Sequence, residues 1–205
     1  MSKPLPEQSN FIAIGAWNPA IIQPYWLRKH FPEKIPDNCN IEIASAGATS
    51  SIRMNYEKII IDPNNGRLIL IPKEFNEETM AYIAELALGM YKLLEHTPVG
   101  AAGCNFVFKL DPEEIFTVDE IENDDKITSL YNGLCNGTLV SKLIRHTFGL
   151  ADCSVNVIYD YIGTERILRL NFDYQKANSM ENASKSFVSN FKYSIELLNK
   201  LIRKK

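Results

Sequence analysis

SIRMNYEKI, residues 51–59, and SVNVIYDYI, residues 154–162, decide how this chain reads. In the first, Ile52, Met54 and Tyr56 alternate with Arg53, Asn55 and Glu57, the period-two pattern of a strand with one buried face. The second alternates in the same way and shares Ser, Tyr and Ile at matching positions, with Glu exchanged for Asp. Each stretch runs into a turn and a returning strand. Asp62-Pro63-Asn64-Asn65-Gly66 leads to Arg67–Ile71, and Gly163-Thr164 leads to Arg166–Tyr174.

A long amphipathic helix is predicted after each hairpin. Asn76 caps the first, Glu77 and Glu78 suit its positive end, and Met80, Ile83, Ala87, Met90 and Leu94 form its apolar stripe. The second runs from about Glu181 to Arg203 and buries Phe187, Phe191, Ile195, Leu198 and Ile202. Upstream, strands at Phe11–Ala16 and Asn105–Leu110 each precede a cap-then-proline signal, Asn18-Pro19 and Asp111-Pro112. Pro24 divides or kinks the helix that follows the first signal, and Ile41–Ala44 is a short strand. One or two helices are expected within Lys126–Phe148.

This order describes an α+β fold in two pseudo-repeats of strand, helix, hairpin and long helix. The units span about 11–98 and 104–205 of a single domain, 1–205. Paired edge to edge, they form a mainly antiparallel sheet with the helices on one face. The other face is then a mixed polar surface bearing Arg53, Asn55 and Glu57 from one unit and Asn156 and Asp160 from the other. Trp17 belongs to an aromatic cluster with Tyr25, Trp26 and Phe31, read as either core plug or contact surface. These six residues, Trp17, Arg53, Asn55, Glu57, Asn156 and Asp160, are the candidate binding positions.

A net charge of −3 and a pI near 5.7 argue against a phosphate-backbone partner, which needs concentrated Lys and Arg. The most apolar helix, Met80–Leu94, is interrupted by Glu85 and Lys92, so no membrane span is expected. MSKPLPEQSN lacks the apolar run of a signal peptide, and the four cysteines form no zinc or CxxC spacing; both suit a cytoplasmic protein with reduced thiols. The small-residue stretches Gly47–Ser51 and Pro98–Cys104 match no P-loop and read as connections. No cofactor, metal-ligand set or catalytic group is assigned.

The leading expectation is therefore a non-enzymatic protein-binding or scaffold protein of the cytoplasm, with self-association through a sheet edge as a further possibility. The competing expectation is an enzyme with its site between the two repeats. It would use the carboxylates of residues 111–125 to hold a metal, or Cys104 as nucleophile.

Overall fold

A computed structural model describes residues 2–46, 49–64, 66–117, 129 and 140–204. The strands are β1 (Lys3–Pro4), β2 (Asn10–Gly15), β3 (Asn40–Ala46), β4 (Thr49–Asn55), β5 (Ile59–Asn64), β6 (Arg67–Pro72), β7 (Val99–Lys109), β8 (Glu114–Phe116), β9 (Ser141–Gly149), β10 (Ser154–Ile162), β11 (Glu165–Tyr174) and β12 (Ile202–Lys204). The helices are α1 (Pro24–His30), α2 (Glu77–Leu93) and α3 (Ser179–Leu201). Local chemistry explains many of these bounds. Asn64 Oδ1 accepts from the amides of Gly66 and Arg67, both at 3.0 Å, and closes the β5–β6 turn. Gly163 takes the positive φ of 58° that the β10–β11 turn requires. Asn76 Oδ1 accepts from the Thr79 amide at 2.8 Å and caps α2.

The result is an α+β architecture with a mainly antiparallel sheet and the helices packed against it. Strand order is β3-β4-β5-β6-β2-β7-β11-β10-β9, with β1 alongside β7. Every pairing among the described residues is antiparallel. The opening strand β2 pairs with β6, β7 pairs with β11, and β2 and β7 pair with each other at the centre.

One face of that sheet carries the core. Phe11, Leu70, Phe106, Phe108, Leu168 and Phe172 point from it into a cluster with Met80, Ile83, Phe187 and Phe191 of the helices. Burying such a side chain contributes about 1.5–3 kcal/mol, and ring pairs add roughly 0.5–1.5 kcal/mol. The Phe106 and Phe187 rings stack at 5.4 Å, while Phe75 meets Phe191 edge-on at 5.0 Å.

Several local expectations change. Residues 51–61 are not one strand: the chain turns at Tyr56–Lys58 and divides them between β4 and β5, whereas residues 154–162 are the single strand β10. The two matched segments thus occupy different places in the sheet, and their residue-by-residue correspondence does not carry over. The N-terminal helix begins at Pro24, because a residue without an amide hydrogen fits the first turn; Asn18-Pro19 forms a separate turn. Asp111-Pro112 opens a turn closed by the Glu114 amide donating to the Asp111 carbonyl, and leads into β8.

Pro98–Cys104 is no loop. Its glycines and alanines begin the central strand β7, where space is short: a Cβ on Gly15 would lie 2.4 Å from the Pro98 carbonyl oxygen. Residues 141–149, expected to be partly helical, form β9. The remainder of the expected helical region lies outside the described residues apart from Ser129 and Val140, as does 47–48 of the first small-residue stretch. In α3, Ser194 is buried where Ile195 was expected, and Ile195 is exposed.

Burial raises the hydroxyls of Tyr82 and Tyr174 to about 12. Above their ordinary value near 10, the unfolded chain releases these protons while the folded chain keeps them, so stability falls as pH rises from about 10 to 12. Urea midpoints should drop across that window, and Tyr82→Phe should lessen the drop. A midpoint independent of pH there would refute the assignment.

Candidate functional site on the open face of the sheet

None of the three α-helices among the described residues covers the other side of the sheet; a short 3-10 turn, Pro6–Gln8, brings Gln8 onto it. This face carries a row of asparagines. In register across four neighbouring strands stand Asn10 of β2, Asn105 of β7, Asn171 of β11 and Asn156 of β10, with Thr147 of β9 next in line. Period two fixes this placement, since Phe11, Phe106, Phe172 and Val157 immediately follow the four asparagines and point into the core.

Asn105 Nδ2 donates to Asn10 Oδ1 at 2.7 Å, Asn171 Nδ2 donates to Asn105 Oδ1, and Asn156 Nδ2 donates to Asn171 Oδ1 at 2.8 Å. At the β9 end, Asn156 Oδ1 accepts from Arg145 Nε at 3.1 Å, Arg145 Nη2 at 2.6 Å and Thr147 Oγ1 at 2.8 Å. A guanidinium can only donate, so it fixes the sense of the whole chain of amides. Asn156 is 3% exposed, with its oxygen taken by three donors.

Beside this row lies a cleft of about 250 Å³ lined by Gln8, Asn10, Asn105, Val107, Ile158, Arg169 and Asn171, with Phe106 and Leu170 beneath. Arg169 reaches across it. Its Nε and Nη2 lie 3.4 and 3.2 Å from Asp160 Oδ2, and its Nη1 donates to Gln8 Oε1 at 3.2 Å. Elsewhere on this face Arg53 pairs with Asp62 at 3.4 Å and Lys109 with Glu165, while Arg145 is held by the neutral Asn156.

Of the positions singled out from sequence, Asn156 and Asp160 sit together here. Arg53 and Asn55 occupy the same face on β4, six strand spacings of about 4.8 Å from β10, or roughly 29 Å away. They do not share a site with Asn156. Asn55 Nδ2 donates to Glu42 Oε1 at 3.1 Å. Glu57 lies in the β4–β5 turn, on the rim of a separate cleft of about 340 Å³ with Lys34, Tyr56, Lys58 and Tyr82.

Trp17 offers no surface. It is 2% exposed, and its Nε1 donates to the Ala13 carbonyl at 2.9 Å, because the chain turns inward after β2. Trp26 is half-buried against the same core.

No protein-family model matches the chain, and no curated protein is significantly similar to it.

Cys104 is completely buried under α3. Its thiol donates to the Ala183 carbonyl at 3.7 Å and accepts from Asn190 Nδ2 at 3.6 Å, and burial pushes its pKa up, away from the thiolate a nucleophile needs. His96 is almost fully exposed beside Glu95. Within the acidic stretch, Glu114 is buried and accepts from the amides of Ser2 at 3.2 Å and Asp111 at 3.1 Å. No group of three metal-binding side chains occurs among the described residues, and residues 118–125 of that stretch lie outside them.

Sequence reasoning missed Asn10, Asn105, Asn171, Gln8, Arg145 and Arg169. The Asn-Phe pairs at 10–11, 105–106 and 171–172 were the available signal. Asparagine is depleted in strands, so three such pairs inside strand patterns mark outward positions filled against propensity.

Removing Asn156 deprives three donors of their acceptor, whereas removing Asn10 shortens the row at its end. Asn156→Ala is expected to cost about 1–3 kcal/mol and Asn10→Ala about 0.5–1 kcal/mol, measured by urea unfolding. The reverse order would show that the row is not anchored at β9.

Proposed function

We propose that this chain is a non-enzymatic protein-binding or scaffold protein of the cytoplasm, engaging an extended segment of a partner across the open sheet face. The observation that carries this reading is the asparagine row with its cleft. Four residues unfavourable in strands stand in register where β-branched residues would give a more stable surface. The row sets polar groups among Ile12, Ile69 and Ile158, all half-buried, the mixture that a protein interface uses. Three of the face's cations are spent on ion pairs, which weakens the attraction a phosphate backbone would need. Internal duplication belongs to the same proposal. The pairing of β2 with β6 and of β7 with β11, each pair followed by a long helix, supports it at the level of topology.

A peptide-display library panned against the protein tests the reading. Selected peptides should bind Ile158→Arg about tenfold more weakly or worse, a loss of roughly 1.4 kcal/mol, and should bind Lys185→Ala, altered on the exposed side of α3, unchanged. Peptides indifferent to Ile158→Arg, or none above background, would refute it.

A second reading, self-association, is favoured by the β3 edge, where Ile41 and Ile43 are exposed on a strand with one charged residue. Light scattering should show concentration-dependent growth that Ile43→Lys abolishes. A concentration-independent monomer mass would exclude it.

A further inference from the structure

The cleft beside the asparagine row has a chemistry of its own. Every amide in the row donates in one direction, toward Asn10, and Asn10 Oδ1 already accepts from Asn105. Each internal asparagine retains one N–H and one oxygen lone pair, while Asn10 has neither amide hydrogen spent among the described residues. Gln8 turns its oxygen to Arg169 and so keeps its own amide nitrogen free to donate. The rim is thus rich in neutral donors, with a smaller number of acceptors.

Charge narrows the ligand further. Arg169 is the guanidinium at the cleft, and Asp160 holds it at 3.2 Å. A carboxylate entering here would compete with Asp160 for a cation already matched and would meet its repulsion; an ammonium would find no unmatched anion on the rim. An uncharged group with a strong acceptor and a donor beside it fits both remaining capacities. Size narrows it again. At about 250 Å³ the cleft falls below the roughly 300–1,000 Å³ of pockets that take whole small-molecule ligands. It suits one anchoring side chain of a larger partner, the usual origin of a binding hot spot. Val107 and Ile158 supply apolar walls for a methylene stem.

We infer that this cleft is a carboxamide site, taking a glutamine side chain of a partner segment laid across the sheet. The carboxamide oxygen accepts from the free hydrogens of Asn10 and Gln8, its NH₂ donates to the row, and its stem packs on Ile158. This inference rests on the protein-binding reading but is tested without any partner. The probe is N-acetylglutamine N-methylamide, titrated into ¹⁵N-labelled protein while the side-chain amide signals of Asn10, Asn105 and Asn171 are followed. Saturable shifts are expected at these signals, with the corresponding glutamate derivative at pH 7 binding about tenfold more weakly.

Asn10→Ala, whose backbone spectrum reports whether the fold is kept, should abolish saturation, and Ile158→Trp should fill the cleft with the same result. Unsaturable shifts, saturation surviving in Asn10→Ala, or equal response to the glutamate derivative would each overturn the inference. Display-selected peptides that still require the open face would then leave the protein-binding reading standing.

Discussion

The pairing of β2 with β7 joins residues up to 95 positions apart in the chain, Asn10 and Asn105, and holds the two halves of the sheet together. It depends on small side chains. Ala13 faces Ala102 and Phe11 faces Cys104 on the core side, so α3 can descend until its own backbone carbonyl at Ala183 meets the Cys104 sulfur. That approach brings Phe187 against both Phe11 and Phe106, one from each central strand. A larger residue at 102 or 104 would lift the helix and open the aromatic cluster, leaving a gap whose lining loses its contacts. The helix layer, the core and the open face all take their positions from this seam.

The consequences for the two faces are opposite. On the helix side, close packing selects small and aromatic residues and leaves little freedom. On the other side none of the three α-helices packs on the sheet, and side chains stabilise one another laterally, as hydrogen-bonded amides and as cross-strand ion pairs such as Arg169 with Asp160. Partly exposed pairs of this kind contribute modestly to stability. Their role is better described as setting what the face presents: amide hydrogens and lone pairs at fixed spacing, beside a guanidinium matched by Asp160.

Legibility in the sequence follows the range of the interactions. The hairpins at Asn64–Gly66 and Gly163 were readable because a few adjacent residues determine them. Both long helices were readable from their stripes and, for α2, from the Asn76 cap. The break at Tyr56–Lys58 was hidden, since it contains neither glycine nor proline and the alternation runs straight through it. The start of β7 was mistaken for a loop because glycine and alanine mean flexibility when read locally and close packing when read in the fold. β9 was taken for helix because its apolar residues, Leu143, Ile144 and Phe148, fix no period over so short a span. The asparagine row was the hardest to foresee. Each member lies on a different strand, and only the register between distant strands brings them into line.

A row of carboxamides linked head to tail can run in either of two directions, and no member can turn over without its neighbours turning too. Arg145 and Thr147, on the strand at the sheet's edge, choose the direction by presenting hydrogens to Asn156. The row is anchored at β9 and ends at Asn10, three strand spacings beyond Asn156. Arg145 thereby helps set, without touching it, that Asn10 ends the row with both amide hydrogens unspent among the described residues.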